Sequence, residues 1–291
     1  MNILDDLKLQ YKMGGFEQKI IYWNCGIFLL SILFFYQFRL GSFDFPTWIA
    51  LSSTSADLLY KPWTLLTYFF FHAGFFHLLF NMIVLNFAGR IFLTFFTQKQ
   101  LLGLYILSGI FAGIAFAFLY NLLSPGNTSS IVGASGAIMA ILVATTTYSP
   151  FMNFRMLLIG NVKLWQFTFV ILLLDLIQIF IENTGGHIAH LAGAFFGFIY
   201  IKLLQNGTDL SKVVSFVFDG IASINKGSKK TVPFKKVHRN YSNKPTEKIS
   251  KIVTKDKTQQ QIDEILDKIS KSGYDSLTKD EKEFLFKAGK Q

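Results

Sequence analysis

The sequence predicts an all-α, polytopic membrane protein, and two observations support this prediction. Apolar residues make up 51% of the chain and include 33 phenylalanines, which is not typical of a water-soluble domain. Six apolar runs approach the length of about 20 residues that a helix needs to cross the hydrocarbon core of a bilayer. We place the six predicted transmembrane spans at residues 20–38, 66–89, 100–122, 131–149, 164–182 and 187–205. The lipid bilayer is therefore an expected partner of the chain.

The positions of Lys and Arg predict the orientation of these spans. Basic residues lie before the first span, in the loops after the second and fourth spans, and in the tail, whereas the other loops contain only Arg39 and Lys61. The positive-inside rule then places both termini in the cytoplasm and the loops 39–65, 123–130 and 183–186 outside. The first apolar run ends without a small-residue cleavage site, so we expect no removable signal peptide. We expect a multi-pass integral membrane protein.

The net charge of +10 belongs mainly to the tail, because residues 206–291 hold 18 of the 28 Lys and Arg residues. A basic tail on a membrane protein does not predict a nucleic-acid partner. Composition divides the chain into a six-span domain at 1–205, a basic and disordered linker at 206–258, and a small amphipathic helical hairpin at 259–291. The doublets Lys229–Lys230 and Lys235–Lys236 leave two partners open for the tail, anionic lipid and a cytoplasmic protein.

Within the hairpin, apolar side chains share one helical face that ends at Gly273. Thr278 with Glu281, three residues later, has the spacing of a capping box that begins a second helix. The sequence thus predicts two short helices joined at Gly273.

Polar side chains inside the predicted spans form three groups. His72, His77 and Asn81 lie on the second span, Ser135 lies on the fourth, and His187 and His190 lie at the start of the sixth. Because ionisable and polar groups are costly inside a bilayer, residues of this kind are candidates for function. With a cytoplasmic N-terminus, every even-numbered span begins on the outer side, so these groups are expected at one level, about 10 Å below the surface.

This arrangement favours nucleophilic catalysis by serine. A serine hydroxyl becomes a good nucleophile when an adjacent base takes its proton, and histidine suits that role near neutral pH. Ser135 and His190 fit these two roles. The backbone N–H of Ser135 and the side chains of His77 and Asn81 are candidate donors to the oxyanion of the tetrahedral intermediate. No carboxylate lies at matching depth in an even-numbered span, so the sequence favours a dyad over a triad.

Two further residues need an interpretation. Asp175, within the fifth span, is the one carboxylate deep in an apolar run, and its alternatives are a proton relay or a pairing with a neighbouring helix or a water. Cys25 is the single cysteine, which excludes an intramolecular disulfide and a metal cluster held by cysteines.

These residues fall into motifs in which the sequence resembles the rhomboid family of intramembrane serine proteases, of the bacterial type with a C-terminal cytoplasmic extension. The motifs are Pro62-Trp63, His72 and His77 followed by Asn81, Gly133-Ala134-Ser135-Gly136, and His190-Leu191-Ala192-Gly193 followed by Gly197. The resemblance covers nearly all of residues 20–205. It implies a six-helix rhomboid fold, cleavage in or near the transmembrane segments of membrane-protein substrates, and neither cofactor nor metal.

Carried over by position, the resemblance implies that Ser135 is the nucleophile, that His190 is the general base, and that His77 and Asn81 bind the oxyanion. It implies a supporting role for His72 and for the glycines of the two motifs, with the last helix packed closely on the fourth span; these glycines are Gly133, Gly136, Gly193 and Gly197. By resemblance alone, the fifth span is a candidate lateral gate.

Three positions depart from the family pattern. Thr64 stands where an arginine often follows the tryptophan, and Gly89 is followed by Arg90 where an acidic residue is common. Met139 stands where a tyrosine often stacks on the catalytic histidine, so we expect altered tuning of that histidine without loss of activity.

Two other classes of function remain as alternatives. A metal-dependent membrane hydrolase would use the four clustered histidines as ligands, but His72 and His77 are five residues apart and lack the Glu of a zinc helix motif. A transport-like protein or a non-catalytic membrane chaperone would use the same fold without hydrolysis.

Overall fold

The structure, a computed structural model, describes residues 2–156, 160–225 and 249–288. The chain divides into two compact units, Met1–Ser228 and Lys229–Gln291. In the described residues the α-helices are α1 (Ile3–Met13), α2 (Phe16–Phe35), α3 (Ser55–Tyr60), α4 (Thr64–Thr67), α5 (Phe75–Phe95), α6 (Gln98–Leu123), α7 (Ser135–Tyr148), α8 (Leu164–Gln178), α9 (Thr184–Gln205), α10 (Ser211–Asn225), α11 (Ile249–Ser272) and α12 (Lys279–Ala288).

The strands are short and form three antiparallel pairs. β1 (Tyr36–Gln37) pairs with β2 (Ser42–Phe43), β3 (Leu51–Ser52) with β4 (Ser130–Ile131), and β5 (Asn153–Met156) with β6 (Gly160–Lys163). The β3–β4 pair is the one that bears on the site, because its register of Leu51 with Ile131 fixes the segment that leads into α7.

The prediction of an all-α polytopic membrane protein is confirmed. Six apolar helices, α2 and α5 to α9, lie at the positions of the six predicted spans. Four of them, α2, α5, α6 and α9, are long and apolar enough to cross a bilayer. The other two are shorter, because α7 has 14 residues and α8 has 15, and at 1.5 Å per residue neither reaches across about 30 Å of hydrocarbon.

The short helix α7 lies at the centre of the first unit. Ten consecutive residues, Gly136 to Thr145, are buried, and α5, α6, α8 and α9 all pack against the helix. Because α7 is too short to span the bilayer, its first residue is reached through a non-helical segment within the protein. Such backbone is tolerated at membrane depth only where protein covers it or it lines a cavity, and Ser130 to Val132 line one.

The predicted second span is wrong in its first part. The expectation was one helix over 66–89, whereas residues 64–70 form α4 and a 3-10 turn, and α5 begins only at Phe75. His72 therefore lies before the helix that carries His77 and Asn81. Two of these apolar residues, Tyr68 and Phe69, are buried against α6, and Tyr68 donates a hydrogen bond to the carbonyl of Gly109 at 2.7 Å. Apolar composition reports burial here and does not distinguish a helix from a covered turn.

The predicted linker at 206–258 also differs from the structure. Residues 211–225 form α10, which packs against α6: a Cβ on Gly103 would overlap Ser211, and Gln100 donates to Asp209 at 3.2 Å. Residues 226–248, which include both lysine doublets, lie outside the described residues. The folded part of the first unit therefore extends about 20 residues past the predicted boundary at 205.

The second unit contains a helical hairpin, α11 and α12, whose turn includes Gly273 with φ of +78°. Both backbone and hydroxyl of Thr278 donate to the carboxylate of Glu281, at 2.8 and 3.0 Å, which is the capping-box geometry. Lys268 of α11 donates to the same carboxylate at 2.9 Å, and its ammonium, together with Thr278, lowers the pKa of Glu281 to about 2. On the apolar face of α11, Ile265 is buried and Leu266 is half-exposed.

Candidate active site

Ser135 is the first residue of α7, and the glycine two positions earlier shapes its surroundings. Gly133 has φ of +137°, in the region that favours glycine, and its N–H donates to the carbonyl of Tyr68 at 3.0 Å. A Cβ at position 133 would lie 2.8 Å from Cε1 of His77 and 3.6 Å from Oγ of Ser135. The missing side chain thus lets the ring of His77 and the hydroxyl of Ser135 approach one another.

Helix α9 packs on α7 through glycines. A Cβ on Gly193 would overlap the carbonyl oxygen of Gly136, and a Cβ on Gly197 would overlap that of Ala140. In return, a Cβ on Gly136 would lie 3.0 Å from the carbonyl oxygen of Ala189. Small residues at these positions allow the two backbones to touch, as is common between membrane helices. The contact fixes His190 of α9 relative to the start of α7, although His190 is the seventh residue of α9 and not in its first turn.

Both histidines of α9 contact one carboxylate on α8. Nδ1 of His190 lies 2.8 Å from Oδ1 of Asp175, and Nδ1 of His187 lies 2.7 Å from the same oxygen. Asp175 is 6% exposed and His187 is 7% exposed, so these contacts lie inside the protein. The pairing of Asp175 with a neighbouring helix, one of the two alternatives left by the sequence, is the arrangement observed.

The sequence predicted a dyad because no carboxylate lies at matching depth in an even-numbered span, and those spans all begin on one side of the membrane. Asp175 lies on the fifth span, which is odd-numbered. The end of an odd-numbered span lies at the same level as the start of the next span. Helix α8 is the fifth span, and Asp175 is the twelfth of its 15 residues, near its end. Its separation of 12 and 15 residues from the two histidines, across a short loop, is the sequence signal that could have indicated the contact.

His77 and Asn81 lie one turn apart on α5. Asn81 is 8% exposed and donates a hydrogen bond from Nδ2 to the carbonyl of His77 at 2.9 Å, which leaves one amide hydrogen for another acceptor. His72 is fully buried, and its ring packs edge-on against that of His77 with centroids 5.1 Å apart. His72 therefore contacts the back of His77, outside the residues that line the cavity described next.

One cavity, of about 640 Å³, brings most of the predicted site together. Helices α5, α7, α8 and α9 and the segment before α7 all contribute to its wall. Met139, four residues after Ser135, occupies part of the wall and is 6% exposed. The polar and charged lining residues are His77, Asn81, Ser130, Ser135, Asp175, Asn183 and His190.

No hydrogen bond joins Ser135 to His190 among the described residues. Catalytic hydrogen bonds are often long in the free enzyme and shorten when substrate binds, so the shared cavity is the relevant observation. The arrangement offers a hydroxyl, an imidazole with a carboxylate behind it, and amide and imidazole donors from a second helix. Together these groups can perform acyl transfer.

The histidines and Asp175 do not have the geometry of a metal site. In the part of the chain that the structure describes, the candidate ligand atoms of Asp175, His187 and His190 lie within 4.8 Å of one another. This group does not include His72 or His77. A tetrahedral zinc ion with bonds of about 2.0–2.2 Å sets its ligand atoms about 3.3 Å apart. The observed nitrogen-to-oxygen distances of 2.7 and 2.8 Å are those of direct hydrogen bonds. The geometry does not fit the predicted alternative of a histidine metal centre.

Comparison with known proteins adds two matching families. The Rhomboid domain matches residues 60–206, and a family of unknown function, DUF6576, matches residues 253–289. Presenilin-associated rhomboid-like proteins, which are mitochondrial, from Homo sapiens and Pongo abelii are 28% identical to the chain over 219 residues, as is that from Bos taurus. Each alignment covers 68% of this chain and 55% of the relative, so the chain matches about half of the length of these relatives.

Proposed function

We propose, because the chain belongs to the rhomboid family, that it is an intramembrane serine endopeptidase, which hydrolyses peptide bonds in or near the transmembrane segments of membrane-protein substrates. The observation that carries the proposal is the cavity that Ser135 of α7 and His190 of α9 line together inside a bundle of apolar helices. A nucleophile and a base in one cavity of an integral multi-pass membrane protein support hydrolysis of a membrane-embedded peptide bond.

In the proposed reaction, Oγ of Ser135 attacks the carbonyl carbon of the scissile bond while Nε2 of His190 takes the hydroxyl proton. The electron pair of the C=O double bond moves to the carbonyl oxygen. His190 then gives the proton to the leaving amine as the C–N bond breaks, and a water attacks the acyl-enzyme by the same two steps. No cofactor is required, because this sequence uses only groups of the chain and one water.

The oxyanion of the tetrahedral intermediate needs donors, and three are close to Ser135. The backbone N–H of Ser135 lies at the start of α7, where helix N–H groups lack intrahelical acceptors. The ring of His77 lies beside Gly133, and the second amide hydrogen of Asn81 is available. We assign these three groups to the oxyanion, with each side-chain donor contributing about 2.7–4 kcal/mol to the transition state.

The orientation in the membrane is part of the proposal. Both termini lie in the cytoplasm and the cavity opens toward the outer side, because basic residues are rare in the loops on that side. A site at this level receives water from the outer surface. The proposed membrane is the bacterial inner membrane, and the proposed partner of the basic tail is anionic lipid or a cytoplasmic protein.

The test is cleavage of a transmembrane reporter by the full chain in liposomes. Ser135→Ala and His190→Ala should each lower kcat by at least about 10³-fold, and Ser135→Ala should also abolish labelling by a fluorophosphonate. Ser108→Ala is the matched control, because Ser108 is fully buried in α6 and donates only to helix carbonyls, Leu104 at 2.6 Å among them. This control should keep wild-type activity.

Three outcomes would contradict the proposal. Equal cleavage by wild type and Ser135→Ala would exclude a serine mechanism, and loss of activity to a chelator, without fluorophosphonate labelling, would favour the metal-dependent alternative. If neither cleavage nor labelling is seen and the Ser135→Ala variant keeps the cellular function of the wild type, a transport-like or chaperone role is favoured.

A further inference from the structure

We infer that Asp175 is a positioning residue for His190, so that the site works as a Ser–His–Asp constellation in which the carboxylate comes from α8. This inference rests on the proposed function and deepens it. The contact that carries it is the 2.8 Å approach of Oδ1 of Asp175 to Nδ1 of His190, the ring nitrogen remote from the reaction.

The contact determines which ring nitrogen of His190 carries the proton. An ionised carboxylate only accepts hydrogen bonds, so Nδ1 of a ring that contacts it must donate. Neutral imidazole has one N–H, and with Nδ1 protonated, Nε2 keeps its lone pair. That lone pair is what a general base needs to take the proton of Ser135.

His187 acts on the same carboxylate from the preceding turn of α9. Its Nδ1 lies 2.7 Å from Oδ1 of Asp175, and its ring is nearly perpendicular to that of His190, at 86° with centroids 5.7 Å apart. Oδ1 thus accepts from two rings, while Oδ2 is buried without a hydrogen-bond partner among the described residues. The second donor holds the carboxylate in the rotamer that faces His190.

During the reaction, Asp175 stabilises the charge that forms on His190. When Nε2 takes the proton of Ser135, the ring becomes an imidazolium whose Nδ1–H already points at the carboxylate. The proton on Nδ1 stays there, and the proton on Nε2 leaves with the amine, so Asp175 neither gains nor loses a proton. A charged hydrogen bond of this kind is about twice as strong as a neutral one.

A purely structural role for Asp175 is the competing explanation. The bonds to His187 and His190 also tie α8 to α9, and loss of that tie alone could displace α8. The chain offers a matched control for this effect: Thr168 of α8 is 3% exposed and lies 2.7 Å from the hydroxyl of Thr146 on α7. Thr168→Val removes a buried side-chain tie of α8 without touching His190.

The experiment compares wild type, Asp175→Asn, Asp175→Glu and Thr168→Val in liposomes, with Ser135→Ala as the inactive reference. Each variant is measured for kcat, KM, fluorophosphonate labelling rate and thermal unfolding. We expect Asp175→Asn to lower kcat about 10²–10⁴-fold with KM within about threefold, and to slow labelling by a similar factor. Asp175→Glu should recover at least about tenfold of that loss, and Thr168→Val should stay within about threefold of wild type.

Three results would overturn the inference. The first is a kcat of Asp175→Asn within threefold of wild type. The second is an equal loss of kcat in Thr168→Val. The third is a loss of wild-type activity on chelation that added zinc reverses. If wild type cleaves and Asp175→Asn cleaves equally, Asp175 has no positioning role and the proposed protease stands. If wild type and Ser135→Ala are alike in both cleavage and labelling, the protease proposal fails, and this inference fails with it.

The tautomer provides a spectroscopic check that a structural role would not change. Nitrogen-15 NMR of histidine-labelled protein in bilayers, assigned to His190 by comparison with His190→Ala, reports which ring nitrogen is protonated. We expect an unprotonated Nε2 in wild type and in Thr168→Val, and a changed pattern in Asp175→Asn. An identical pattern in all three would contradict the inference.

Discussion

Helices α8 and α9 both flank the central helix α7, but the protein holds them in different ways. Helix α9 touches α7 backbone to backbone, because Gly193 and Gly197 face the carbonyls of Gly136 and Ala140. Helix α8 is largely exposed outside the bundle, and its buried residues are Leu164, Thr168 and Asp175. In the described residues its side-chain hydrogen bonds to α7 and α9 are the contacts at Thr168 and Asp175.

The difference separates two tasks within one site. Backbone contact with α7 fixes the position of His190, the proposed base, relative to Ser135, the proposed nucleophile. The orientation of the His190 ring depends on its hydrogen bond to Asp175 of α8, a helix with few buried residues. Substitutions between α7 and α9 should therefore act mainly on folding, whereas substitutions in α8 should act mainly on rate.

The largest expected effect is on the glycine contact. Gly193→Val places a branched side chain where even a Cβ alone would overlap the carbonyl of Gly136, and a helix backbone cannot move aside locally. We expect destabilisation by about 3 kcal/mol or more, seen as loss of folded protein in detergent and loss of activity. Gly26→Val in α2 is the matched control, because a Cβ at Gly26 meets no atom within 4 Å. Equal stability of the two variants would contradict backbone contact between α7 and α9.

A smaller loss of stability with a clear loss of rate is expected at Gly133. Gly133→Ala imposes a side chain at φ of +137° and brings its Cβ to 2.8 Å from Cε1 of His77. The strain is about 1–3 kcal/mol, and the ring of His77 must move away from position 133. We expect kcat to fall about 10–100-fold while the protein remains folded by circular dichroism. A fall in unfolding temperature with unchanged kcat would show that His77 does not act on the reacting oxygen.

The sequence predicted the helix contacts of α9 better than those of α8, for a physical reason. Glycines three and seven residues after His190 form a local pattern on one helix, and the pattern states which face can touch another backbone. The family and the polytopic fold followed from such patterns. The contact of Asp175 with His190 depends on where two helices end relative to each other, and periodicity within a helix does not contain that information.

Two other segments differ from their predicted conformation because of tertiary contacts that the sequence pattern does not contain. Tyr68 and Phe69 are buried against α6, and the apolar composition of residues 66–74 therefore placed His72 on a helix that begins three residues later. Helix α10 was assigned to a linker because its surroundings are polar and basic, although Ser211 packs against Gly103. In both segments, tertiary contact decided the conformation.

His187 sharpens the assignment of a rate effect to α8. His187→Gln keeps a side chain that can donate to Asp175 but loses the rigid ring that contacts Oδ1 at 2.7 Å. We expect kcat to fall about three- to tenfold, less than for Asp175→Asn, with KM and unfolding temperature close to wild type. A loss as large as that of His190→Ala would instead make His187 an essential group of the site.

The smallest expected effect tests how weakly α8 is tied to α7. The hydroxyls of Thr146 and Thr168 lie 2.7 Å apart, and each threonine can be replaced by valine with little change of shape. A double-mutant cycle on the free energy of unfolding should give a coupling of about 0.5–1.5 kcal/mol, the net contribution of one hydrogen bond. All three variants should keep kcat within about threefold, because the bond does not involve His190 or Asp175. A coupling near zero would leave the contacts of Asp175 as the principal side-chain tie of α8 to the neighbouring helices, and a coupling above about 3 kcal/mol would contradict a weak tie of α8 to α7.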